Sequence, residues 1–130
     1  MNPAPGVPER IFGTHHGGVL IICVKKHDGY IIEFWDVEAD RIYKSVHFIN
    51  VSSIHYVSIT RDRRHFSVGC YYSGRPRIVF YEFNSADLCS SESMDGIVVS
   101  DCGDIHAMSP DGKQITYIEV VENERYVKEI

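Results

Sequence analysis

The sequence predicts an all-β protein made of repeated antiparallel sheets, and three observations lead to that prediction. The first is composition: 44% of the 130 residues are hydrophobic and 12% are aromatic, with many of the residue types that strands prefer. The second is periodicity, because apolar and polar residues alternate along short segments that end at Gly, Pro or Asp. The third is an internal repeat. No apolar stripe of helical period runs for more than a few residues.

One sequence unit occurs three times along the chain. "IEFWDVEADRIY" around Trp35 aligns with "IVFYEFNSADLC" around Tyr81, at an offset of 46 residues. A third copy, "MSPDGKQITYIE" at residues 108–119, lies 49 residues after its counterpart, and "RYVKEI" takes the place of "RIVFYE". A period of about 45 residues suits a four-stranded unit.

Each copy has the same order of elements. A short strand leads into a four-residue turn, which is "HHGG", "RDRR" or "PDGK". A longer apolar strand follows, then a turn that contains Gly in the first two copies ("HDG" and "SGRP"), then a third strand. "VEADRIYKSV" supplies a turn and the fourth strand of the first copy. This order predicts antiparallel meanders.

The residues of the "SPDGK" turn have distinct expected roles. Pro110 fixes φ at the first turn position, the Asp111 side chain caps the turn, and Gly112 adopts a positive φ. In the first copy, Asp36 should accept hydrogen bonds from backbone groups of the turn that follows it. The indole N–H of Trp35 needs one acceptor.

These motifs resemble the WD-repeat β-propeller family and the looser, TolB-like propellers that carry "SPDGK" turns. The matching segments are Asp28-Gly29, Trp35-Asp36 and 109–113. Residues 1–8 form a Pro-rich tail, and the resemblance, which covers about residues 9–130, implies a partial propeller there. It also implies that Trp35 packs between blades. The expected four-stranded blades lie at about residues 9–48, 54–100 and 104–130.

About three blades would form an open arc, because propellers close with four to eight. If each end face presents ~400 Å² of apolar surface, covering it is worth about 10 kcal/mol. We therefore expect a protein partner or a second copy to cover the end faces, unless the chain is a fragment of a longer propeller. Ile115 and Tyr117 have the same strand parity, and we expect both to lie on an end face.

Two segments are candidate partner-binding surfaces. "YYSGRP" contributes Tyr71, Tyr72 and Arg75, and exposed Tyr and Arg dominate interface hot spots. The resemblance places this loop on the face that WD-repeat proteins use to bind partners. "RDRR" contributes Arg61, Arg63 and Arg64, a modestly basic surface suited to an acidic protein or a phosphate.

The histidines and cysteines give no clear sign of catalysis or metal binding. His15-His16-Gly17-Gly18 aligns with the other first turns, and an esterase oxyanion loop would need a G-x-S-x-G elbow, which is absent. We expect hydrogen-bonded structural roles for His47, His55 and His106. The four cysteines have no zinc spacing, and we expect all to be reduced. No cofactor or metal is expected.

The function predicted on these grounds is a non-catalytic propeller segment that serves as a protein-interaction scaffold in a larger assembly. The alternatives are the propeller portion of a peptidase or hydrolase whose catalytic domain is missing, and a small ligand-binding β-barrel. The net charge of −5 lacks the basic surplus of nucleic-acid binders. No secretion signal or bilayer-spanning segment is visible, so we expect a cytoplasmic or nuclear protein.

Overall fold

The computed structural model describes residues 3–14, 17–83, 90–93 and 96–130, and within these ranges every regular element is a β-strand. The strands are β1 (Pro8–Gly13), β2 (Val19–Lys26), β3 (Gly29–Asp36), β4 (Arg41–Ile49), β5 (Val51–Ile59), β6 (His65–Tyr72), β7 (Arg75–Glu82), β8 (Ser90–Ser93), β9 (Ile97–Ser100), β10 (His106–Met108), β11 (Ile115–Val121) and β12 (Glu124–Glu129). The expectation of an all-β chain with antiparallel sheets is therefore confirmed. Among the described residues, none forms a helix of the length and hydropathy needed to cross a bilayer.

The chain divides into two compact units. The first consists of Met1–Val51 and Phe83–Met94, and the second of Ser52–Glu82 and Asp95–Ile130. The first unit holds one sheet in the order β1-β2-β3-β4-β8, in which β8 pairs with β4 in parallel. The sequence analysis placed Phe83 and β8 in the second repeat copy, whereas in the structure both group with the first unit.

The core of the first unit lies on one face of its sheet. Ile21 pairs with Phe34, and Cys23 pairs with Ile32, all with no exposed surface. The Phe83 ring packs edge-on against Phe34, with 5.3 Å between ring centroids. Alternate residues of β2 and β3 therefore point towards the core, and these are the apolar residues of the alternating pattern.

Trp35 lies on the opposite face of this sheet and is only half-buried. Its indole N–H donates to Oε1 of Glu33 at 3.3 Å, which supplies the one acceptor that was expected. Oδ1 of Asp36 accepts from the backbone N–H of Ala39 at 3.1 Å, so the predicted cap of the following turn is confirmed. Within this unit, Phe34 belongs to the buried core and Trp35 does not.

The second unit holds two sheets, in the orders β5-β6-β7-β9 and β10-β11-β12. We call them the second sheet and the third sheet. Ile78 of the second sheet packs against Met108 and Ile115 of the third in one buried cluster, with Tyr117 at its margin. Ile115 and Tyr117 do share a face, but the expectation that it is an uncovered end face is wrong. That face is packed against β7, and Ile115 is only 5% exposed.

Candidate interaction surface

The other face of the third sheet carries apolar side chains in contact with solvent. Strand register aligns Ile118 of β11 with Val127 of β12. The backbone N–H of Ile118 donates to the carbonyl of Ile105, the residue just before β10, so Ile105 continues the row. Ile105 is 62% exposed and Val127 is 71% exposed, while Ile118 is half-buried. Val120, two residues further along β11, is 57% exposed. We call these four residues the outer face.

The outer face differs from the solvated side of an ordinary antiparallel sheet. Such a sheet alternates apolar residues towards its core with polar residues towards water. Here β11 buries Ile115 on one side and still presents Ile118 and Val120 on the other. A row of branched apolar residues across three strands is typical of a surface that another protein covers.

Within the described residues, strand β12 forms one edge of the third sheet. Its pairing with β11 fixes the direction in which its backbone N–H and C=O groups point. Ile130 and Ile115 exchange both backbone hydrogen bonds, at 2.9 and 3.1 Å. Bonded pairs recur at every second residue of an antiparallel ladder, so the same applies to Lys128 with Tyr117. The backbone N–H and C=O groups of the intervening residues, Arg125, Val127 and Glu129, therefore point away from β11 and outward from the edge of the sheet.

The aromatic candidates lie at the tip of the β6–β7 hairpin. Tyr72 pairs with Arg75 across a two-residue turn, Ser73-Gly74, whose φ values are 49° and 81°. Tyr71 is 37% exposed, and its ring stands edge-on to His55 with centroids 5.3 Å apart. The three candidates Tyr71, Tyr72 and Arg75 are thus together at one hairpin.

The ring of Tyr72 contacts Arg77, a residue of the same hairpin. The guanidinium carbon of Arg77 lies 5.1 Å from the centroid of this ring, a cation–π contact. Tyr72 is half-buried, whereas Arg75 is exposed. Arg75 and Tyr71 are therefore the members of this group that a partner can reach most directly.

The arginine candidates Arg61, Arg63 and Arg64 belong to the turn at the opposite end of β6. A cavity of about 560 Å³ lies between this turn and the next repeat copy's turn. Its lining residues are Arg61, Asp62, Ser109, Pro110 and Asp111. The backbone N–H of Arg61 donates to the Pro110 carbonyl at 2.8 Å, which joins the two turns.

The two carboxylates change the expected character of this surface. Hydrogen bonds from the Thr60 hydroxyl and the Arg64 amide lower the pKa of Asp62. Hydrogen bonds from the Ser109 hydroxyl and the Lys113 amide likewise lower the pKa of Asp111. Both groups are therefore ionised at neutral pH. The cleft carries mixed charge rather than the basic surface that the sequence predicted.

A serine, a histidine and an aspartate form a chain of polar contacts that the sequence analysis did not find. Ser53 and His55 are two residues apart on β5, and their Oγ and Nε2 atoms lie 3.2 Å apart. Nδ1 of His55 contacts a carboxylate oxygen of Asp104, in the loop before β10. The Ser-x-His spacing on a strand could have indicated the first contact, but nothing local indicates the second.

This chain of contacts has the order of a hydrolase triad, yet its surroundings indicate a structural role. Acyl transfer needs a substrate cavity and donors placed for the oxyanion. The cavity between the two turns is lined by none of Ser53, His55 and Asp104. Gly69 on β6 lets the backbone of Asp104 approach so closely that a Cβ at Gly69 would overlap the Asp104 carbonyl. The carboxylate thus ties the loop to β5.

His106 and His47 also have hydrogen-bonded partners. Nε2 of His106 lies 2.7 Å from the Ser67 hydroxyl, and the side chain is 6% exposed. Burial lowers the pKa of His106 because the interior disfavours the charged imidazolium. Nε2 of His47 lies 3.1 Å from Oδ1 of Asp28. The hydrogen-bonded roles expected for these residues are confirmed.

The described cysteines are free thiols. Cys23 and Cys70 are buried, and burial raises the pKa of each thiol to about 12. Cys102 is exposed. Cys89 and the His15-His16 pair lie outside the described residues, so their expected roles stay predictions. Within the described ranges, no three His, Cys, Asp or Glu side chains converge as a metal site requires.

Comparison with known proteins supports the fold and does not define a family. No family model matches the chain, and no curated protein matches it. A structure of Kuenenia stuttgartiensis hydrazine synthase is similar, with a TM-score of 0.55 and 16% sequence identity. The match covers 86% of this chain and 40% of that chain. At this identity the likeness concerns the fold alone.

Proposed function

We propose that this chain is a non-catalytic β-propeller segment that binds protein through the outer face of its third sheet. The observation that carries the proposal is the row of Ile105, Ile118 and Val127 on a sheet whose other face is already packed. Apolar surface is worth about 25 cal/mol per Å² when it is removed from water. A partner that covers this row gains that free energy.

The repeated turns support the propeller arrangement. Thr60 and Ser109 hold their turns through the same set of bonds: each N–H donates to the carbonyl five residues later, and each carbonyl accepts from the amide three residues later. Successive units with the same local geometry are the basis of propellers and other repeat folds. In this proposal the three sheets correspond to three blades.

The thiol state supports a reducing compartment. Cys23, Cys70 and Cys102 are all unpaired, and cytosolic and nuclear proteins keep their thiols reduced. We therefore propose a cytoplasmic or nuclear location. We do not carry over the activity of the enzyme named in the structural comparison, because the likeness to it concerns the fold alone.

Ile105→Asp tests the proposal, because it places a charge at a side chain that is 62% exposed. We expect the wild type to bind protein, either another copy or a component of its source extract. We expect Ile105→Asp to weaken that binding by at least about tenfold. The matched control is Glu122→Lys, which changes charge in the β11–β12 turn outside the outer face. A wild type that binds no protein, or binding that Ile105→Asp leaves unchanged, would contradict the proposal.

A further inference from the structure

We propose that a second copy of this chain pairs with the third sheet edge to edge, through β12, in antiparallel orientation about a two-fold axis at Val127. This inference goes beyond the proposed function, because edge pairing places two outer faces side by side and leaves both open to the protein that covers them. Its starting point is that β12 is exposed along its whole length and forms the edge of the described third sheet. Edge strands with free backbone groups are templates for pairing with another chain.

The direction in which the backbone N–H and C=O groups of β12 point suits this pairing. The backbone N–H and C=O groups of Arg125, Val127 and Glu129 point outward from the edge, because the hydrogen bonds between Ile130 and Ile115 fix which residues of β12 face β11. With the axis at Val127, each Val127 lies opposite its counterpart, and each Arg125 lies opposite the Glu129 of the other copy. All three positions then exchange both of their backbone hydrogen bonds.

Several registers would let the outward-pointing backbone groups of β12 form hydrogen bonds, and the charges of the side chains favour one of them. An axis at Arg125 or at Glu129 places like charges directly opposite each other, and an axis at Lys128 brings the two ammonium groups together. An axis at Tyr126 leaves Arg125 facing Val127. Only the axis at Val127 joins Arg125 with Glu129 at both ends, and opposite charges in directly facing positions stabilise sheets.

The same register also continues the outer face. Arg125, Val127 and Glu129 share one side of β12, because alternate residues of a strand point the same way, and Val127 belongs to the row with Ile118. The two rows therefore meet at the axis and form one apolar strip bordered by the Arg125–Glu129 pairs. On the other side of the sheet, Tyr126 lies opposite Lys128, which suits a cation–π contact.

Charge reversal and mixing test the register. R125E places a carboxylate opposite Glu129 of the second copy, and E129R places two cations together. Light scattering should show the wild type as a dimer and each variant alone dimerising at least about tenfold more weakly. An equimolar mixture of R125E and E129R should restore dimers, as should the double variant R125E/E129R, because opposite charges then face each other again. E122K is the control and should dimerise like the wild type.

Other outcomes would overturn the inference. These are a monomeric wild type, dimers that R125E leaves unchanged, or a mixture that stays monomeric. A monomeric wild type that still binds a different protein, with loss of binding in Ile105→Asp, would overturn the second-copy inference and leave the proposed function standing. A wild type that binds no protein would overturn both.

A cross-linking measurement keeps the test decisive if a charge variant does not fold. In a C89S/C102S background, V127C should form a disulfide-linked dimer on mild oxidation, since facing residues of adjacent strands lie within disulfide reach. V120C, on the neighbouring strand, is the matched control and should not cross-link. Failure of V127C to form the linked dimer, or equal linkage by V120C, would overturn the register.

Discussion

Oδ1 of Asp62 and Oδ1 of Asp111 accept the same pair of hydrogen bonds in two turns that lie 49 residues apart. One bond comes from the hydroxyl two residues earlier, at 2.6 and 2.7 Å, and the other from the amide two residues later, at 3.0 Å in both turns. The residue that follows each carboxylate has a positive φ, 63° at Arg63 and 74° at Gly112. The two segments are therefore the same structural turn with different sequences.

The shared cap predicts a specific response at Asp62. Asp62→Ala removes the acceptor for both bonds and should lower the free energy of unfolding, measured by the urea midpoint. Asp62→Asn keeps an oxygen that accepts from the Arg64 amide, so it should retain most of the stability. Equal loss in the two variants would show that the hydrogen bonds are not what the carboxylate contributes.

The close approach at Gly69 predicts a sharp steric effect. Gly69→Ala places a Cβ onto the Asp104 carbonyl, so the loop before β10 must shift. We expect a loss of about 1–3 kcal/mol in the free energy of unfolding. Gly13→Ala is the control, because a Cβ there meets nothing within 4 Å. If both variants unfold at the same denaturant concentration, the loop does not press on β6.

The contact between His55 and Asp104 predicts that the imidazole supports the loop. His55→Ala leaves a carboxylate that is only 13% exposed without this partner, and we expect a loss of about 1–2 kcal/mol. Ser53→Ala keeps the contact intact and should cost less. Chemical denaturation of both variants measures the difference. A larger loss in Ser53→Ala would contradict the structural role assigned to the His55–Asp104 contact.

Burial of His106 predicts a pH dependence of stability. Its pKa is lowered in the folded protein, so the unfolded chain binds a proton more readily. The stability that neutral His106 contributes is fully present above the pKa of this residue in the unfolded chain, about 6.5. It is lost as the pH falls through the lower pKa of His106 in the folded protein. Thermal unfolding should therefore show stability declining below neutral pH. In His106→Gln this decline should be smaller, and an unchanged decline would contradict the assignment.

Local features of the structure followed from the sequence because they depend on neighbouring residues. Turn chemistry correctly predicted the positive φ of Gly112 and the cap at Asp36. Strand parity correctly placed Ile115 and Tyr117 on one face. Parity could not show which face is covered, because that depends on a neighbouring sheet.

Longer-range features could not be predicted in this way. The side chain of Asp104 reaches His55 only after β5 and the loop before β10 have come together, 49 residues apart in the sequence. The parallel pairing of β8 with β4 likewise has no local signal, because the repeat alignment assigned residues 90–93 to the second copy. The mixed charge of the cleft arises because two separate turns bring Asp62 and Asp111 to one cavity.

Hydrogen exchange along β12 tests most directly the claim that the third sheet binds another protein chain through its edge. The amides of Arg125, Val127 and Glu129 point away from β11, so they should exchange rapidly in a monomer and slowly when another strand is paired with them. We predict that their protection rises with protein concentration, together with the mass measured by light scattering. The amide of Lys128, which is bonded to β11, serves as the internal reference. Rapid exchange of the three amides at every concentration, in a protein that stays monomeric and binds no other protein, would contradict the account.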